Sequence, residues 1–159
     1  RGMNRNILFA SLLVAAGLAL PVQAQEAGHD MTQMMATGLM MPSMDAARGR
    51  ELFASKGCVV CHSVNGIGGV DAPEFSAEFM DPVMNPFEFT ARMWRGAGAM
   101  VMMQEAELGG QIDLTGQELA DIIAFVHDPE EQRRFSAADI PAAIAEMMEH
   151  GHRDDRHDD

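Results

Sequence analysis

Three observations predict an all-α domain. A helical face recurs at i, i+3, i+4 and i+7 in two separate stretches. No stretch alternates apolar and polar residues as a half-buried strand would. Glycine-rich segments and prolines punctuate the helical stretches. The 159 residues suit one such domain.

The elements follow in chain order. Met3-Asn4-Arg5-Asn6 is a short basic start, 7–20 is an apolar run, Pro21 breaks it, and Val22-Gln23-Ala24 offers the small residues of a cleavage site. That layout predicts a secretory signal peptide over 3–24. The run is short for a bilayer-spanning helix, and no other stretch could span, so no membrane span is expected after its removal. Residues 25–44 form a polar, methionine-rich leader without a steady helical period. It holds Met31, Met34, Met35, Met40, Met41 and Met44, with His29 nearby.

A first helix is predicted over 45–56. Gly49, Leu52, Phe53 and the stem of Lys56 share one face, and Gly57 stands where a left-handed residue stops a helix. A glycine inside that stripe implies close approach of another element. A second helix is predicted over 86–95, with Asn85 as cap, Pro86 in the first turn and Glu88 completing a capping box. Gly96 follows, so 65–75 and 96–103 are read as glycine-rich loops. A third helix has Thr115 and Glu118 as a capping box, and Leu119, Ile122, Ile123 and Val126 as its stripe. Pro129 is expected to end it. Within 130–150 a further amphipathic helix is predicted over 136–150, capped by Asp139, with Pro141 in its first turn and Ile144, Met147 and Met148 facing inward. Residues 151–159 contain no apolar side chain and read as a solvated tail.

Arg1 and Arg5 leave with residues 1–24, so a net charge of −13 becomes −15. Such a surface excludes nucleic acid and anionic lipid as partners and favours a basic protein. The predicted helical core is small, and a domain of this kind needs an added stabiliser.

The chemistry concentrates at Cys58-Val59-Val60-Cys61-His62, which holds both cysteines of the chain. A structural zinc site needs a second ligand pair, and there is none. A redox dithiol of the thioredoxin kind needs a βαβ setting, and none is predicted. A disulfide closing so short a loop would stabilise little. The remaining reading is the C-x-x-C-H signature of covalent c-type haem attachment. Two thiols add to the haem vinyl groups, and the following histidine lies beneath the iron as an axial ligand. A ligating histidine donates its other ring N–H to an acceptor, and the Pro73 carbonyl is the candidate.

With these residues in view, 45–128 resembles a class I cytochrome c domain. The resemblance rests on "GRELFASKGCVVCHSV", "APEF", "MWRGAGAM" and "LTGQELADIIAFVHD". It implies a helical fold wrapped around one covalent haem, 45–129 being the haem domain, and a near-perpendicular crossing of the first and last helices. Gly49 and Phe53 would meet Phe125 at that crossing. It also implies that Pro73 orients His62, and that the last methionine of "MWRGAGAM", Met100, is the second axial ligand. Gly98 replaces a proline often found in that segment, which leaves Met102 as the rival. Trp94 could donate its indole N–H to a haem propionate, or simply pack. Arg92 and Arg95 could offset propionate charge.

The function expected from this reading is periplasmic electron transfer, with one haem c cycling Fe(II)/Fe(III) under His62/Met100 ligation. No acid–base pair or nucleophile stands out, so the chain is not expected to be an enzyme. It could serve as the cytochrome subunit of a dehydrogenase. Two other classes stay open: a five-coordinate haem sensor or peroxidase, and a copper-handling protein using the leader methionines and the tail histidines His150, His152 and His157.

Overall fold

The computed structural model describes residues 38–154, with side chains through residue 149. The chain divides into Arg1–Leu39, of which only the last two residues are described, and Met40–Asp159, which carries the elements below. The predicted signal peptide, His29, Met31, Met34, Met35, the side chains of His150 and His152, and all of His157 lie outside the described residues.

Helix α1 (Ala46–Ser55) is capped by Asp45, whose carboxylate accepts from the Arg48 N–H at 3.0 Å. Gly57, at φ +84°, turns the chain into a single helical turn, α2 (Cys58–Cys61). A two-residue hairpin follows, β1 (Ser63–Val64) antiparallel to β2 (Ile67–Gly68). Its Asn65-Gly66 turn has both residues at positive φ, the geometry Asn-Gly favours. This ladder corrects the strand-free expectation; two residues are too few for alternation to show.

Helix α3 (Pro86–Leu108) is 23 residues long and capped by Asn85, which accepts from the Phe87 N–H. The predicted end at 95 and the predicted loop over 96–103 are therefore wrong. A Cβ at Gly96 or Gly98 would meet nothing within 4 Å, so both glycines sit on open helix surface. Each costs about 1 kcal/mol relative to alanine, which the surrounding Ala, Met, Gln and Glu offset. The helix stops at Gly109, at φ +73°.

Helix α4 (Gly116–Val126) carries the predicted capping box in full. It ends at Val126, ahead of Pro129 as expected. Asp128 caps a separate turn, α5 (Pro129–Gln132), with Pro129 at its start. The predicted last helix is displaced. Residues Ala137–Asp139 form a 3₁₀ turn, and α6 (Ala142–Asp154) begins only after Pro141, whose carbonyl accepts from Ile144 and Ala145. It runs four residues beyond the predicted boundary at 150, to Asp154; residues 155–159 of the predicted tail lie outside the described residues. No helix among the described residues is long and apolar enough to cross a membrane.

The core lies where α1 meets α4. A Cβ on Gly49 would come within 1.9 Å of the Asp121 carbonyl oxygen and 2.8 Å of Phe125 Cβ. Only glycine permits that approach. It lets the rings of Phe53 and Phe125, both fully buried, pack at 5.6 Å. Phe135 closes against both at 5.7 Å. Arg50 of α1 pairs with Glu131 at 2.8 Å and with Asp139, tying α5 and the 3₁₀ turn onto this crossing. Gln132, buried in the same region, donates to the carbonyls of Phe75 at 2.9 Å and Phe125 at 3.2 Å and accepts from the Ala77 N–H.

Candidate cofactor site

Helix α2 places both thiols on one turn. His62 leaves it in extended conformation, its N–H still bonded to the Cys58 carbonyl at 3.0 Å. The following segment folds back along the motif. Gly69 N–H donates to Val59, Ala72 to Cys61 and Phe75 to Ser63, at 2.8–3.1 Å. The two backbones lie so close that a Cβ on Gly69 would sit 1.9 Å from the Val60 carbonyl oxygen. This return brings Pro73 under the histidine, where its carbonyl accepts from His62 Nδ1–H at 2.7 Å. A carbonyl only accepts, so the proton is on Nδ1 and the Nε2 lone pair is left for another partner.

Burial pushes the His62 pKa down, partly opposed by the hydrogen bond to Pro73. The ring is therefore neutral at pH 7, as a metal ligand must be. Its face stacks on Phe75, with centroids 4.2 Å apart and planes 13° apart.

Cys58 and Cys61 are both free thiols. Burial pushes the Cys58 thiol up to about 11. Burial also raises Cys61, helped by the charges of Asp71 and Glu107. Both thiols are protonated at neutral pH, which opposes a thiolate-driven dithiol. Among the described residues no group of His, Cys, Asp and Glu side chains is placed to hold a metal ion.

Helix α3 is tied beside both ends of the motif. Near its start Phe89 lies 5.7 Å from Phe75, the ring stacked on His62. At its end Leu108 reaches Gly57, coming within 3.2 Å of where a Cβ would stand. Between these ties one face of the helix, Met93, Ala97, Met100 and Met103, is apolar and only half-buried, and Phe89 and Gln104 are the helix's only buried residues. At 3.6 residues per turn, Met100 falls on the face those two define. It is half-buried there, on a helix and not in the predicted loop. Met93 shares that face and is also half-buried, whereas Met102 is on the opposite side and 69% exposed. Met103 borders the same face and is also half-buried.

Trp94 is 80% exposed and does not pack. Arg92 pairs with Asp81 and Glu88, and Arg95 with Glu88, so both have ordinary surface partners. Met40, Met41 and Met44 line a separate apolar pocket of about 410 Å³ beside the start of α3 and α4.

Sequence reasoning gave no role to Phe75, although it lies in the quoted "APEF". It also passed over Gln132, for which no local signal exists, and His127. The His127 Nδ1–H donates to the Ile123 carbonyl at 2.8 Å, and Nε2 is buried with no partner.

These residues fit a covalently held, flat apolar group. Two unionised thiols one helical turn apart are free to bond it. An adjacent imidazole has one nitrogen anchored and the other open. The half-buried apolar face of α3 supplies a wall. Fold and site together define an all-α domain in which two cysteines and an adjacent histidine are arranged so that they could hold such a cofactor. The family model for cytochrome c matches residues 46–128, and the chain belongs to the cytochrome c family. It is a c-type cytochrome, a haem-binding electron-transfer protein. Helices α5 and α6 lie beyond the matched region. No curated protein and no solved structure matches the chain.

Proposed function

We propose that the chain is an exported, non-enzymatic electron carrier with one haem c, held by Cys58 and Cys61 and ligated by His62 and Met100. When bound, the haem supplies a one-electron Fe(II)/Fe(III) couple. Cys58 and Cys61 would act as tethers, and Pro73 holds the proton on His62 Nδ1, which leaves the Nε2 lone pair free to ligate iron. Met100 would supply a soft thioether from α3, a donor that favours the reduced state. Trp94, whose indole N–H has no partner among the described residues, is the candidate donor to a propionate. Residues 3–24 direct export to the periplasm, and redox proteins with basic surfaces are the partners. The observation that carries this reading is the 2.7 Å His62–Pro73 bond beside two free thiols on one turn.

Absorption spectroscopy tests it. A pyridine haemochrome assay should report covalent haem, and the oxidised protein should show the far-red methionine–iron charge-transfer band. Absence of that band with haem present would favour a five-coordinate sensor or peroxidase. Met100→Ala should abolish the band and Met102→Ala leave it. If Met93→Ala abolishes it while Met100→Ala does not, the assignment moves to Met93. N-terminal sequencing of the exported protein should begin at Gln25.

A further inference from the structure

The Pro73 hydrogen bond fixes the tautomer of His62 but leaves its plane under-determined. A bond made in the ring plane tolerates considerable twist about the nitrogen–metal axis. A flat neighbour does not, because twisting drives an imidazole edge into it. We propose that Phe75 is the positioning residue that sets the plane of the His62 imidazole, and so the orientation of the axial ligand. This rests on the haem reading above.

The contact is close and nearly parallel, 4.2 Å between centroids and 13° between planes. Phe75 is also firmly held. Its N–H donates to Ser63 at 2.8 Å, and its carbonyl accepts from the buried Gln132 side chain at 2.9 Å. Its ring meets the fully buried Phe53 edge-on at 6.5 Å, and Phe89 at 5.7 Å. These contacts on two sides restrain the half-buried ring from withdrawing to let the imidazole turn. One short segment, 73–75, therefore supplies both constraints: a carbonyl for the proton and a ring for the plane. Through Phe89 the same ring abuts α3, the helix carrying Met100.

The orientation of an axial imidazole sets the direction of the iron orbital that holds the unpaired electron in the oxidised low-spin state. Electron paramagnetic resonance g values and the paramagnetically shifted haem methyl proton resonances report it directly. The test compares wild-type holoprotein with Phe75→Leu, which keeps apolar bulk but has no face, and Phe75→Tyr, which keeps the face. Phe75→Leu should shift the g values and alter the order and spread of the methyl resonances. Phe75→Tyr should stay close to wild type. A folded, haem-loaded Phe75→Leu with unchanged g values and methyl shifts overturns the proposal. If Phe75→Leu does not load, the reduced wild type decides by proton NMR. Cross-relaxation between the Phe75 ring and the His62 ring protons supports the stack, and its absence rejects it. A wild type without covalent haem sinks the haem reading and this proposal with it, an outcome the pyridine haemochrome assay separates from the others.

Discussion

Gly49 is the residue on which the α1–α4 contact turns. A methyl group there would stand 1.9 Å from the Asp121 carbonyl oxygen, which is backbone and cannot swing aside. Gly49→Ala should therefore cost as much as the upper end of the roughly 1–3 kcal/mol overpacking range, or more, read from the urea midpoint. Asp121 is a second such point. Fully buried, it accepts from the Asp45 N–H at 2.9 Å, Arg48 Nε at 2.6 Å and Gln117 Nε2 at 3.0 Å. Burial alone would raise its pKa, but these donors outweigh it and hold the carboxyl below its ordinary value. A depressed carboxyl stabilises the fold fully above about pH 4, and that contribution is lost as the pH falls through the folded value. Asp121→Asn should cost about 1–3 kcal/mol at pH 7, and the gap to wild type should close on acidification below pH 4. A gap that stayed constant down to the acid transition would reject the charge as its source.

At the scale of elements, the sharpest contrast is between two kinds of glycine. Gly98 lies on α3 with nothing within 4 Å of a Cβ, so its only effect is on backbone freedom. Gly98→Ala should stabilise the protein by up to about 1 kcal/mol, the opposite sign to Gly49→Ala, in the same urea assay. That contrast also explains what the sequence made legible. Gly57 and the Thr115–Glu118 box were readable because their partners lie within a few residues. The length of α3 was not, because glycine reads as a stop unless its surroundings are known. Gly96 and Gly98 are passed through, whereas Gly109, in the left-handed region, is the stop. Pro141 is expected inside the first turn of the last helix but stands just before it, because the Ser136–Asp139 segment closes as a separate turn. At the site, Cys58, Cys61 and His62 are contiguous and Pro73 lies eleven residues from the histidine, so all four were within reach. The contacts of Phe75 with Gln132 and Phe89 join distant segments, and no local pattern encodes them.

Over the whole molecule, charge decides how partners approach. Each described Lys or Arg side chain, from Arg48 and Arg50 through Lys56, Arg92 and Arg95 to Arg133 and Arg134, already pairs with a carboxylate. The chain still carries −13, so the surplus is unneutralised acid. Some of it lies near the motif: the charges of Asp71 and Glu107 both act on Cys61. Both side chains are exposed. A cationic redox partner should therefore be drawn toward the Cys61 side of the site, and an anionic one repelled. Stopped-flow reduction of the oxidised holoprotein measures this. The bimolecular rate with a small cationic reductant should fall as salt rises, because the Debye length shortens from roughly 30 Å at 0.01 M to 10 Å at 0.1 M. With an anionic reductant it should rise. Overall charge alone would give the same two signs, so the local claim needs its own variant. Asp71→Asn combined with Glu107→Gln removes two of the surplus charges. If electrons enter near Cys61, this pair should flatten the salt dependence more than neutralising two exposed acids whose charges do not act on Cys61, such as Glu78 and Glu146. Equal flattening by both pairs would leave the net charge as the whole cause and reject entry at Cys61.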